Sequence, residues 1–351
     1  MVLAGREPRG GLGDPRGPIG NLGLPPRHGE GLLKMVRRGL SLVELLVTLA
    51  VGAVLAATLL AGGRWLILSS ERVSRRLLAR ERGERVLSFL EPRVLHAGLG
   101  LSSCRISGML QRALGRGLPG APVIAGWPGL VRPLQVYRDS GALLEPAPDE
   151  GGVYRGSGLF VLFSLPSGVL LRAPGGGVVS AAPGESVKLT VLSGTLENVD
   201  PFAGRPRDLR SWFSLPMAGY PVHLGARNGK DLSLQLADDL PDPVTIPPLS
   251  ELFLLRCERF RVQNNILYFQ EMRSDWYPPN FQPRESGVLA LWLEWRPASR
   301  ILDLWVLTSG GPAVFGPSAK PASWPDDAPW RAEFSNHELY VSRASWRSEN
   351  L

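Results

Sequence analysis

A single carboxylate, Glu44, lies near the start of a long apolar run in the stretch RRGLSLVELLVT (residues 37–48). The run extends from Leu40 to Gly63 and contains no other charged residue. About 20 apolar residues span the hydrocarbon core of a bilayer. A carboxylate in such a segment is costly unless it has a partner and a function. Glu44 is therefore the first candidate functional residue.

A partner for Glu44 becomes available if the chain is cut between Gly39 and Leu40. The apolar run holds no cation of its own, but cleavage would create an α-amino group on Leu40. In a stack of such helices, the ammonium group of one subunit would pair with Glu44 of its neighbour, which offsets the desolvation of both charges. Arg37 and Arg38 precede the run and predict a cytoplasmic N-terminus, with the rest of the chain across the membrane.

The composition is that of a folded chain with an uneven charge. Its 351 residues are 44% hydrophobic, enough for one large core or two modest ones, and its 41 Gly and 32 Pro favour a turn-rich β body. Residues 1–38 contribute four of the seven net positive charges, so the basic balance is only a weak indication of nucleic-acid binding. Residues 1–34 are rich in Gly, Pro and Arg and predict either a disordered tail or a misassigned start upstream of Met35.

The apolar run continues into an amphipathic helical pattern that we expect to end or kink at Pro92. We predict one helix of about 50 residues within residues 40–92, about 75 Å long at 1.5 Å per residue, whose second half packs on a globular body. The apolar residues at helical spacing are Leu66, Val73, Leu77, Val86 and Leu90. Glutamates are interspersed among the arginines of this half, which favours a solvated or subunit-facing surface over a DNA-binding one. These arginines are Arg72, Arg75, Arg76, Arg80, Arg82 and Arg85.

Beyond residue 98 the pattern changes to short strands bounded by turn residues. Strands are predicted over residues 158–165, 186–194, 232–238, 287–295 and 301–309. Residues 260–269 predict a hairpin around Asn264-Asn265, because asparagine tolerates positive φ, and Pro297 marks the turn of a second hairpin. The predicted fold class is α+β: a long N-terminal helix, half transmembrane and half amphipathic, packed on a β-rich extracytoplasmic head over residues 93–351.

The remaining reactive side chains show no catalytic or metal-binding spacing. Cys104 and Cys257 lack a zinc pattern and are predicted to form one disulfide if the head is extracytoplasmic, two buried thiols being the alternative. The histidines match no triad or metal motif. Asp238, Asp239 and Asp242 lack EF-hand spacing and are expected to form a solvated turn rather than a calcium site. We expect no cofactor and no metal, and a chain that is not an enzyme, since an anchored extracytoplasmic enzyme would need a convergent cluster of catalytic groups.

The N-terminal pattern resembles the prepilin signal of type IV pilins and pseudopilins. That signal has a short basic leader, glycine at its last position, a hydrophobic first mature residue and glutamate at the fifth. Here these are Arg37 and Arg38 in the leader, Gly39, Leu40 and Glu44, although the family usually has Phe or Met first. The resemblance implies that residues 1–39 are a leader peptide, that prepilin peptidase cleaves after Gly39 and methylates the Leu40 amine, and that Glu44 acts in assembly.

Residues 84–104 resemble the helix end of PilW-type minor pilins. That end reads R-x-x-x-x-F-L-x-x-D-L-R-x-A-G, followed shortly by Cys. The residues that fit are Phe89, Leu90, Ala97 and Gly98, with Arg85 one position from the Arg of the pattern and Cys104 near the Cys position. Pro92 and His96 stand at positions that the pattern leaves open, and Arg93 replaces its Asp. The hairpin over residues 260–269 also resembles the late hairpin of such heads.

The resemblance implies a minor pilin, a structural subunit of the type IV pilus tip or of its assembly-priming complex. Before assembly it would be a single-pass inner-membrane protein in the lipid bilayer, and afterwards part of a cell-surface pilus. Its implied partners are prepilin peptidase, other major and minor pilins and the inner-membrane assembly platform. A type II secretion pseudopilin is the alternative. A subunit that binds nucleic acid during DNA uptake is a third reading, for which the head shows no clear basic stripe.

Overall fold

The computed structural model describes residues 41–101, 133–139, 144–147, 149–195, 211–218, 220–236, 242–273, 282–348 and 350. In these residues one α-helix precedes seventeen β-strands. The chain divides into two units, residues 1–60 and residues 61–351. The second unit holds the second half of the helix packed on the strand-rich head, which confirms the predicted α+β class.

The helix, α1, covers Leu42–Leu95 and is the predicted long element. It continues three residues beyond Pro92, where we expected its end. Proline removes only its own N–H and so costs one hydrogen bond, and a final turn still forms, with the His96 N–H bonded to the Pro92 carbonyl at 2.9 Å. The N-terminal part contains an 18-residue stretch that is long and apolar enough to cross a membrane, and none of that stretch is buried.

The strands of the head belong to three antiparallel sheets. The first half of the chain contributes β1 Leu134–Asp139, β2 Leu144–Pro146, β3 Asp149–Glu150, β4 Val153–Gly156, β5 Gly158–Arg172, β6 Val179–Ala181, β7 Ser186–Ser193, β8 Trp212–Leu215 and β9 Tyr220–Asn228. The second half contributes β10 Asp231–Gln235, β11 Val244–Ile246, β12 Leu249–Gln263, β13 Ile266–Arg273, β14 Gln282–Ser286, β15 Val288–Arg296, β16 Ile301–Pro312 and β17 His337–Arg347. A 3-10 helix, Ala332–Asn336, leads into β17.

The two fifteen-residue strands β5 and β12 pair along most of their length and organise the large sheet. Toward Arg172 and Leu249 the pairings run β12–β8–β9–β10–β7–β5 and return to β12, so six strands close a ring around an apolar core. Toward Leu159 and Phe260 the same two strands are flanked by β1 and β13, and the sheet is open. The paired strands β5 and β12 therefore run through both the closed part and the open part of the large sheet.

The open part of the large sheet shares its core with the second half of α1 and with the small sheet, whose order is β17-β16-β15-β4-β3. Leu90, Phe163, Phe260 and Leu304 are among its buried residues. A smaller cluster, including Trp292, Trp305 and Trp324, lies between the small sheet and the segment over residues 324–334. Trp295 belongs to the main core, so the tryptophans of β15 and β16 are all core residues.

Both predicted hairpins are present. β12 and β13 pair from Gln263 and Ile266, and Asn264 and Asn265 have φ of 51° and 59°, as the Asn-Asn pattern predicted. β15 and β16 pair from Arg296 and Ile301 around the turn that contains Pro297. These local features position β16, β17 and β12 against the helix.

Candidate functional site

Glu44 and Ser41 form a reciprocal cap at the start of α1. The Ser41 N–H donates to the Glu44 carboxylate at 3.1 Å, and the Glu44 N–H donates to Ser41 Oγ at 3.2 Å. This is the capping-box arrangement, in which two backbone donors of the first turn are satisfied by side chains. This backbone partner was not predicted from the sequence, although the Ser-x-x-Glu spacing indicates it. A carboxylate accepts several hydrogen bonds, so the cap leaves capacity for a further donor.

Gly39 and Leu40, the predicted cleavage and methylation residues, lie outside the described residues. Cys104 also lies outside them, and its predicted bond to Cys257 stays a prediction. Among the described residues Cys257 has no disulfide partner, and its side chain is fully buried. Burial raises the pKa of its thiol well above the ordinary value. Asp238 and Asp239 are likewise outside, and no group of metal-ligating side chains occurs in the described part of the chain.

The face of α1 that packs on the head contains the predicted Val86 and Leu90 but differs from the prediction upstream of them. Its buried residues are Ala79, Gly83, Val86, Leu90 and Val94. Leu66, Val73 and Leu77 are instead 57–62% exposed. Ala79 follows Leu77 by two residues, which is about 200° around the helix, so the predicted residues upstream of Val86 lie on the far side.

Small residues allow the helix backbone to approach the small sheet closely. A methyl group on Gly83 would overlap the Ser342 hydroxyl on β17, and one on Gly310 of β16 would overlap the carbonyl of Arg75. Between these two points, Thr308 Oγ1 donates to the Ala79 carbonyl at 2.7 Å. Backbones thus meet at Gly310, whereas Gly83 faces the side chain of Ser342. A bulky side chain at either glycine would force the helix and the sheet apart.

The arginines of α1 bind the head rather than facing only solvent, so the expectation of a solvated surface was partly wrong. Glu338 on β17, whose side chain is 2% exposed, lies 3.3 Å from Arg72 and 3.4 Å from Arg76. The Val314 N–H donates to the same carboxylate at 3.2 Å. Further along, Arg82 donates to the Ser309 carbonyl at 2.5 Å.

A second buried carboxylate, Glu258 on β12, anchors the last turn of α1. Arg93 lies 2.7 Å from it, and the Glu258 side chain is 2% exposed. Burial raises the pKa of Glu258, and the Arg93 guanidinium opposes that shift. The Arg93 guanidinium also stacks over the ring of Phe89 at 3.8 Å, with Arg284 at 4.4 Å from the same ring. Helix end and sheet are therefore joined by an ion pair beside an aromatic contact.

The residues that carried the PilW-type resemblance have identifiable structural roles. Arg85 pairs with Glu285 at 3.1 Å, and Phe89 meets the ring of Phe260 edge-to-face at 6.0 Å. Gly98 has a φ of 80°, a conformation that favours glycine, and its N–H bonds the Leu162 carbonyl on β5 at 3.0 Å. Ala97 and Gly98 thus bring the chain directly onto the large sheet after the helix ends.

One comparison with known proteins identifies a feature of this chain. Residues 34–60 match the model of the prokaryotic N-terminal methylation motif. No curated protein and no solved structure matches the chain. The matched residues contain Glu44, its Ser41 cap and the first part of the apolar helix. The chain therefore carries the prepilin-type motif of type IV pilins and pseudopilins on the long-helix and β-rich-head architecture of a pilin-like protein.

Proposed function

We propose that this protein is a minor pilin, a structural subunit of the type IV pilus tip or of the complex that primes pilus assembly. The observation that supports the proposal most directly is the methylation motif at the start of a membrane-length helix. Proteins with this motif are generally structural subunits rather than enzymes. The PilW-type residues at the helix end favour a minor subunit.

The junction between helix and head supports a structural role. Two buried carboxylates, Glu338 and Glu258, hold arginines of α1, and the helix and the small sheet approach closely at Gly83 and Gly310. Such a junction fixes the head on the second half of the helix, because separating them would leave buried carboxylates without a partner. A subunit that is pulled through assembly by its helix needs a junction of this kind.

In the proposed cycle, prepilin peptidase removes residues 1–39 and methylates Leu40, and the protein waits in the inner membrane with its head on the extracytoplasmic side. It then joins other major and minor pilins through the assembly platform. Glu44 would bind the N-terminal ammonium of a neighbouring subunit, as its remaining acceptor capacity permits.

The test is a deletion strain complemented with the wild-type chain or with a Glu44→Ala variant. For a minor pilin, deletion reduces surface pili, twitching and transformation, and only the wild-type chain restores them. Loss of protein secretion with normal pili would assign the chain to a type II secretion pseudopilus instead. Loss of transformation alone, with normal pilus number, would favour a DNA-binding subunit.

A further inference from the structure

The outer edge of β17 differs from the other edges of the two larger sheets. The large sheet ends at β14, which is five residues long and contains Pro283, and at β2, which has three residues. The small sheet ends at β3, with two residues, and at β17, with eleven. Short strands and proline are the usual protection of an edge against pairing with another chain. β17 has neither.

The edge of β17 is unpaired within the described residues. Its ladder partner is β16, and no second described strand borders it. Backbone groups of an edge strand alternate between bonding their neighbour and facing outward. About half of the N–H and C=O groups of β17 are therefore available to an extended polypeptide over roughly 36 Å, at about 3.3 Å per residue.

Exposed arginines flank this edge on both faces of the sheet. On the helix face, Arg76 and Arg80 of α1 have side chains that are 53% and 57% exposed, beside Glu338 and Tyr340 of β17. On the other face, Arg343 of β17 is 61% exposed. Arg347 is exposed at the end of the strand.

The charge beside the edge is basic because two carboxylates each face two arginines, Glu338 with Arg72 and Arg76 and Asp303 with Arg296 and Arg343. Glu338 and Asp303 have side chains that are 2% and 4% exposed, and only Glu84, the partner of Arg80, is exposed. A strand added here would place its side chains beside the arginines, where carboxylates make favourable cross-strand pairs. The edge thus offers both a backbone ladder and charge complementarity.

We propose that the edge of β17 accepts an extended, acidic segment of another protein subunit, which adds to the small sheet as a sixth strand. This is the β-augmentation mode of recognition, in which backbone bonds supply affinity and flanking side chains supply selectivity. The inference goes beyond the proposed function and stands without it, since it concerns the head alone.

The binding test uses the mature protein in detergent micelles and a synthetic peptide of alternating valine and glutamate, long enough for the strand. A peptide with lysine in place of glutamate controls for charge, and the glutamate peptide methylated on every backbone nitrogen controls for the ladder. We expect the glutamate peptide to bind and each control to bind at least about tenfold more weakly, because charge pairs or several backbone hydrogen bonds are lost.

Amide hydrogen exchange locates the bound peptide. We expect new protection on alternate residues of β17, since only outward-facing N–H groups gain partners. Arg343→Glu should weaken binding, whereas Lys188→Glu, an exposed charge reversal on β7, should not. If the Arg343→Glu variant does not fold, the peptide with lysine in place of glutamate still tests whether binding depends on charge.

Three results would overturn the proposal. Protection that maps away from β17 would place the peptide elsewhere, and equal binding of the methylated peptide would exclude a backbone ladder. Outward amides of β17 that are already protected without peptide would show that the edge is occupied, by the chain itself in a monomer or by a second copy in a self-associated protein.

Discussion

The Glu338 carboxylate lies 3.3 Å from the Arg72 guanidinium, with the Glu338 side chain 2% exposed and that of Arg72 38% exposed. Arg76 approaches the same carboxylate within 3.4 Å. One buried residue of the last strand therefore holds two successive turns of the helix. Because the guanidinium groups remain partly solvated, their attraction is screened, and the cost of losing them falls below that of a fully buried pair.

Removal of this charge should loosen the helix from the head. We expect Glu338→Gln to lower the free energy of unfolding by about 1–2 kcal/mol, since the amide can still accept the Val314 N–H but no longer neutralises two arginines. Glu84→Gln, which breaks the exposed pair with Arg80, should cost much less, because solvent screens that pair. Urea unfolding of the mature protein in micelles, followed by tryptophan fluorescence, measures both. Equal effects of the two variants would contradict the anchoring role of Glu338.

Glu258 should make stability depend on pH in the opposite sense to an ordinary ion-paired carboxylate. Burial raises its pKa in the folded protein, whereas Arg93 and Arg256 lower it and Glu271 raises it. Between the unfolded value of about 4.3 and the raised folded value, the folded state binds more protons. The contribution of Glu258 to stability is therefore complete below the unfolded pKa and is lost as the pH rises through the folded pKa.

The Glu258→Gln variant isolates that contribution, because glutamine does not titrate. Subtracting its unfolding free energy from that of the wild type, at each pH from about 4 upward, should give a difference that declines with pH. Glu271→Gln is a control on the neighbouring strand that leaves the Arg93 contact in place. A difference that rises with pH would mean that pairing with Arg93 outweighs burial.

Local features of this fold follow from the sequence, whereas the contacts between distant segments do not. The Asn264-Asn265 turn and the apolar helix were predicted because residue type and spacing determine them. The buried face of α1 was predicted at Val86 and Leu90 but not upstream of them, because Ala79 and Gly83 are small and carry little hydrophobic signal. Ring closure through β5 and β12 depends on pairing between residues about 90 positions apart, for which no local pattern exists.

Variants at the start of α1 should separate the two roles of Glu44. Glu44→Gln keeps a side chain that can cap Ser41 but removes the charge, and Ser41→Ala removes half of the cap but keeps the charge. If pairing with a neighbouring ammonium governs assembly, Glu44→Gln and Glu44→Ala should insert in the membrane yet be depleted from sheared filaments. Ser41→Ala should be incorporated normally, since a lost cap costs only about 1 kcal/mol. Normal incorporation of Glu44→Gln into filaments would contradict a role for the charge and would leave capping of the helix as the role of Glu44.

Replacement of Gly39 should block maturation. A bulky side chain such as leucine at this position would not fit beside the scissile bond, so membranes should contain only the longer precursor. N-terminal sequencing and intact mass of the wild type should show a chain that starts at Leu40 and carries one added methyl group. A wild-type N-terminus at another residue would refute the cleavage assignment, and Arg38→Lys, which keeps the leader charge, serves as the control.

The last prediction is a disulfide between Cys104 and Cys257. If the head is extracytoplasmic, as positive-inside orientation predicts, it lies where disulfides persist. The bond would close a loop of about 150 residues and contribute on the order of 4–5 kcal/mol in the chain-entropy model. Burial raises the pKa of the Cys257 thiol, so slow alkylation of folded protein would not distinguish a bond from a buried thiol. Thiols must therefore be counted in unfolded, unreduced protein, where we expect none, and two after reduction. Cys104→Ala should then expose one thiol and lower stability as much as reduction does. Two titratable thiols before reduction would instead establish a pair of buried free cysteines.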